Sequence, residues 1–107
     1  MAGKKKSLKR TQSKRRKPSR LAEKLLFIRQ QLGLSQGGLL RHLGLEDKIE
    51  RDYISKYERG VLEPTLDVLL AYARAISTSG RGEFLEAIID DAVELPVRLP
   101  AGPYYRR

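Results

Sequence analysis

The sequence predicts an all-α fold of five short helices, and three observations carry that expectation. Apolar residues recur at the spacing of one helix face along most of the chain after residue 20. No stretch alternates apolar and polar residues long enough to make a strand. Glycine, proline and serine punctuate the apolar runs at helix-sized intervals. A length of 107 residues suits one small domain with tails rather than two domains.

Each element follows from its own signals. Leu21, Leu25, Ile28 and Leu32 lie at i, i+4, i+7 and i+11, one face of a first helix that opens after Pro18 and Ser19 and stops at Gly33. Ser35 reads as the N-cap of a second helix carrying Leu39, Leu40 and Leu43, with Gly44 as its stop. Residues 45–50 form a charged connector. A third helix is expected over 51–59, with Ile54 and Tyr57 inward and Gly60 closing it. Pro64 and Thr65 open a fourth, whose expected inner face is Leu66, Leu69, Leu70, Ala73 and Ile76. After a turn from Ser77 to Gly82, a fifth helix is expected from Glu83 to Val93, carrying Phe84, Leu85, Ile88, Ile89 and Ala92. Pro96, Pro100 and Pro103 then forbid helix. The resulting organisation is an arm over residues 1–20, a helical domain over 21–95 and an extended tail over 96–107.

Composition narrows the chemistry. The chain has no Cys and one His, His42, which disfavours a disulfide framework, a thiol nucleophile, a zinc cluster and a His-based triad. No enzyme, cofactor or metal is therefore expected, and His42 reads as a solvated helix residue. No apolar run reaches the length of a membrane span, so the expected location is the cytoplasm, at the nucleoid. The charge is segregated: residues 1–20 hold ten of the 22 bases and none of the 13 acids, so the arm carries +10 and the remainder −1. Such an arm has too few apolar residues to offset its ordering entropy and is expected to be disordered when free. Arms of this kind track polyanions, nucleic acid above all; the alternative is a solubilising tail.

Leu34-Ser35-Gln36, a short helix ending at Gly44, then Ile54-Ser55-Lys56-Tyr57-Glu58-Arg59-Gly60 and Pro64-Thr65-Leu66 form an ordered series. It resembles the lambda-repressor-like helix-turn-helix family of phage Cro proteins and repressors, the xenobiotic-response-element family, over about residues 21–77. The resemblance implies double-stranded DNA as partner, with the third helix in the major groove, where the donor and acceptor code of the base pairs is complete. It also implies a pair between Arg29 and Glu58, because the family joins an Arg of the first helix to a Glu ending the reading helix. Two departures stand out. The connector between Gly44 and Ile54 is about four residues longer than the family's turn, and Leu40 stands where the family commonly has Ala. A bulkier side chain needs more space between the helices, which a longer connector permits.

By the same alignment Arg51, Asp52 and Lys56 are the side chains expected at base edges. Arg and Lys donate to guanine, while Asp accepts from a cytosine amino group or caps the helix instead. Gln36, at a helix start, suits a phosphate. Tyr53, Ser55 and Arg59 are backbone contacts or ordinary surface, as is Lys48; Lys14, Arg15, Arg16, Lys17 and Arg20 of the arm are expected on phosphates. Gly37 and Gly38 either permit close approach of the DNA backbone or simply weaken their helix. Phe84, Leu85, Ile88 and Ile89 make a stripe too broad for a lone terminal helix: part covers the core near Leu26 and Phe27, and the rest meets a second copy in a homodimer. The acids Glu83, Glu86, Asp90, Asp91 and Glu94 keep this region away from the duplex. Tyr104, Tyr105, Arg106 and Arg107 read either as a disordered tail or as a partner site. The leading expectation is a repressor-like transcriptional regulator. The alternatives are an antitoxin that captures a toxin or other protein through its C-terminal part, and a non-specific architectural or RNA-binding protein.

Overall fold

A computed structural model describes residues 20–100. It is all-helical, with α1 (Leu21–Leu32), α2 (Gln36–Leu43), α3 (Arg51–Glu58), α4 (Leu66–Ala75) and α5 (Leu85–Ile89), and has no strand among the described residues. α3 packs on α1 and α2, α4 on α2, and α5 on α1 and α4. Leu25, Ile28, Leu32, Leu39, Ile54, Tyr72, Ile76 and Ile88 are wholly buried at the centre.

Local chemistry sets ends of the first two helices. Gly33 closes α1 at φ 73°, donating its N–H to the carbonyls of Arg29 and Gln30. The Ser35 hydroxyl accepts the N–H of Gly38 at 2.9 Å, capping α2. A Cβ on Gly38 would stand 3.1 Å from that hydroxyl, so Gly38 serves the cap that starts its own helix. The connector is anchored rather than merely charged. Leu45 is buried, Ile49 packs on the core, and the Leu45 carbonyl accepts the N–H groups of Lys48 and Ile49 in a turn.

The second half departs from the sequence pattern in three places. The inner face of α4 is Val68, Leu69, Tyr72 and Ala73, continued by Ile76, while Leu66 is 67% exposed. Tyr72 is the largest wholly buried side chain, while Leu66, the first residue of α4, faces solvent. α5 spans Leu85–Ile89 rather than Glu83 to Val93, because Asp90 turns to extended backbone. The cause lies on α1. Lys24 is 3% exposed, and its ammonium donates to the carbonyls of Ala87, Asp90 and Val93 at 2.7, 2.8 and 2.7 Å. Three donors meet three carbonyls, which a continuous helix would have kept for its own amides. Beyond α5, Leu95 packs against the core and Leu99 is buried within it, so the folded unit runs past residue 95 despite the prolines.

Arg20 also needs reassignment. It belongs to the domain rather than to a phosphate-tracking arm: its guanidinium donates to both carboxylate oxygens of Glu94 at 2.6 and 3.0 Å and to Glu23 at 3.1 Å. Its backbone N–H donates to Asp91 at 3.1 Å. The hydrogen bonds from Arg20 hold the Glu94 carboxyl below the usual carboxylate range. Glu23, Asp91 and Glu94 gather around Arg20, so Arg20 is satisfied at home.

The Lys24 nest generates a test. Lys24→Met keeps the stem but strips one buried and two partly buried carbonyls of their donor, and an unsatisfied buried group costs about 1–3 kcal/mol before relaxation. The variant is expected to lose about 2–4 kcal/mol in urea unfolding. Amide exchange should accelerate first over Ala87–Val93. Unchanged exchange there, with stability within about 0.5 kcal/mol of the parent, would show that the nest does not hold α5.

Candidate nucleic-acid interface

Ile54 and Tyr57 are the buried residues of α3, and they leave its opposite face to solvent. Two residues of insertion alone would not set the tilt of so short a helix. That is done at its C-terminal end, where Glu58 meets Arg29 of α1. Arg29 Nε donates to Glu58 Oε2 at 2.6 Å and Nη2 to Oε1 at 3.1 Å, while Nη1 donates to the Leu34 carbonyl at 3.0 Å. The two side chains are 20% and 6% exposed. A bidentate fork of this kind fixes orientation as well as distance. Gln36 joins it, its amide nitrogen donating to Glu58 Oε1 at 3.2 Å. α1, the loop, the start of α2 and the end of α3 thus share one polar joint.

The Tyr72 hydroxyl is buried with no hydrogen-bond partner. Burial, reinforced by the nearby Glu58 charge, pushes it far above the ordinary tyrosine range, so it stays neutral.

The outward face of α3 carries Arg51, Asp52, Tyr53, Ser55, Lys56 and Arg59 together. Arg51, Asp52, Tyr53 and Arg59 are exposed and Ser55 and Lys56 half-buried. Asp52 pairs with Lys56 at 3.3 Å, and the Lys56 ammonium lies 5.7 Å from the centroid of the Tyr53 ring. Tyr53 meets the buried Tyr57 edge to face at 6.4 Å. Arg59 donates to the Ser55 hydroxyl at 3.2 Å. α3 has no side-chain cap, so Asp52 engages Lys56 instead of closing the helix start. Gly37 faces Arg51: a Cβ there would lie 3.6 Å from Arg51 Cδ, ordinary contact across the junction of α2 and α3.

Other expected site residues fall elsewhere. Gln36 is turned toward Glu58, so a phosphate contact by its amide competes with that bond. Ile88 is wholly buried and Phe84 and Leu85 pack against the core while staying partly exposed, so of the four Ile88 covers the core and Ile89 is the most exposed. The shortened α5 explains this, since its single turn and a half presses its apolar residues onto α1 and α4. Ala92, set outside the helix, is exposed. Lys14, Arg15, Arg16 and Lys17 lie outside the described residues, as do Tyr104, Tyr105, Arg106 and Arg107. Sequence reasoning missed the Leu34 carbonyl as a partner of Arg29 and Lys24 as the organiser of α5. A lysine at a buried position of α1, one residue before Leu25, is the only signal the sequence offers for the second.

A helix-turn-helix family model matches residues 25–81, which run from within α1 through α4. No curated protein and no solved structure matches the chain.

The joint is testable by a double-mutant cycle. Glu58→Gln leaves a largely buried guanidinium without its counter-charge and is expected to destabilise by about 2–4 kcal/mol. Arg29→Met should do the same from the other side. The double variant should recover roughly 1–3 kcal/mol relative to the sum. Strict additivity in denaturant unfolding would mean that the two charges do not act together.

Proposed function

Because the chain belongs to the Cro/repressor-type helix-turn-helix family of DNA-binding regulators, we propose that it is a sequence-specific, repressor-like transcriptional regulator that lays α3 in the major groove of double-stranded DNA. The observation that carries this reading is the polar outer face of α3, anchored from behind by the Arg29–Glu58 fork. The major groove, about 12 Å wide, admits a helix and displays a different donor and acceptor pattern for each base pair. Arg51, Asp52 and Lys56 supply donors and an acceptor for base edges. Tyr53, Ser55 and Arg59 flank them with groups suited to phosphate, and Gln36 stands at the start of α2 beside the same face.

The arm extends the footprint. Nine bases lie in residues 1–19, with no acid among them, and each phosphate they neutralise adds about 0.9 to the salt slope of binding. The protein acts as a homodimer, with Ile89 and the partly exposed Phe84 and Leu85 as the candidate contact. Its place is the cytoplasm, on the nucleoid; no helix among the described residues is long and apolar enough to cross a membrane.

Selection of bound duplexes from a random pool tests this reading. The intact chain should select an inverted repeat with half-sites about 10 base pairs apart. Arg51→Ala and Lys56→Ala should each cost roughly 1–3 kcal/mol on that site and relax one position of it. If both keep full affinity and the parent motif, α3 does not read the bases. A separate expectation concerns the arm. Deleting residues 2–19 should flatten the salt dependence by several units while leaving the selected motif intact. Equal slopes would make the arm a bystander, and loss of the motif would transfer specificity to it.

A further inference from the structure

Asp52 and Lys56 stand one turn apart on the exposed face of α3, with Nζ 3.3 Å from Oδ2. The ammonium also lies over the Tyr53 ring, 5.7 Å from its centroid, so the cation is held by a carboxylate and an aromatic face. The unit presents a donor and an acceptor side by side, at about the separation of two hydrogen-bonded atoms. The major-groove edge of a G·C pair presents the complement: the guanine O6 acceptor beside the cytosine N4 donor, themselves joined by a hydrogen bond. We propose that Asp52 and Lys56 read one G·C base pair as a unit, with guanine on the Lys56 side and cytosine on the Asp52 side. This rests on the placement of α3 in the major groove proposed above.

Donor and acceptor order alone does not select G·C, because a T·A pair offers the same order, the O4 acceptor of thymine beside the N6 donor of adenine. The neighbouring atoms decide. Beside O6, guanine carries N7, a second acceptor for an ammonium with three donors, whereas thymine carries a methyl group. Beside its amino group, adenine carries the N7 lone pair, which faces the Asp52 carboxylate and repels it; cytosine has no acceptor there. Both differences favour G·C. The reversed C·G pair is worse still, since it sets amino group against ammonium and O6 against carboxylate. Pairing also answers the objection to a carboxylate near DNA: the unit is neutral, so the phosphate field neither expels nor rewards it.

The test is selection from a random duplex pool with the full chain, followed by affinity measurements on the selected site and its single-pair variants. The parent should show one G·C position per half-site. The charge-swapped variant D52K/K56D should turn that position to C·G and leave the others unchanged. Asp52→Ala should lose roughly tenfold of the discrimination against T·A at that position, because the repulsion from adenine N7 is gone. If the position ignores the swap and Asp52→Ala, while Arg51→Ala still relaxes another position, the paired reading is wrong and the major-groove placement stands. If the swap binds nothing, Asp52→Ala decides, and full retention of T·A exclusion overturns the proposal. A parent chain that selects no motif overturns the placement of α3, and this inference with it.

Discussion

The Arg29–Glu58 fork is the constraint on which the presentation of α3 depends. Packing of Ile54 and Tyr57 sets which face of the helix is buried, but two apolar residues leave an eight-residue helix free to rock. The fork removes that freedom by tying the last residue of α3 to the last turn of α1 through two parallel hydrogen bonds. The third arm of the guanidinium, on the Leu34 carbonyl, extends the same joint to the loop that precedes α2. A largely buried pair of this kind contributes little net stability against a well-packed apolar alternative. Its value lies in geometry, and geometry is what a helix entering a groove requires.

A second, separate set of polar contacts closes the domain on the other side of α1. Lys24 gathers the carbonyls that end α5, and Arg20 binds Glu23 and Glu94. The two cations nearest the start of the domain are therefore bound internally. The cations of α3, Arg51 and Lys56, stay on its outer face, and the acids around α5 are held on elements other than the reading helix. One helix, α1, organises both sides, with Arg29 directed to α3 and Lys24 to α5.

How much of this was legible in the sequence follows the range of the forces involved. The limits of α1 and α2 were readable because their signals are local: Gly33 and Gly44 adopt positive φ, and Ser35 caps within three residues. The five-helix pattern was readable from spacing for the same reason. The pairing of Arg29 with Glu58 was suggested by a motif resemblance, since nothing in their separation implies contact. What stayed hidden was decided across the chain. The length of α5 follows a lysine on α1, the inner face of α4 includes the buried ring of Tyr72, and Leu99 joins the core, which no proline pattern reveals. Leu45 was hidden by its charged neighbours: Glu46, Asp47 and Lys48 face solvent while it faces in. The Asp52–Lys56 pair was open to inspection as an i,i+4 spacing, yet its role as a unit needed the observed distance and the position of Tyr53.

The most direct test of the account is to map, residue by residue, where DNA touches the folded chain. Backbone amide shifts recorded while the selected duplex is titrated into the full-length protein report this without mutation. The account predicts that the largest changes fall on the start of α2 and on Arg51, Asp52, Tyr53, Ser55, Lys56 and Arg59. Glu83–Glu94 should move little in the same titration. Changes centred on α5 and its acids, with α3 unmoved, would contradict it.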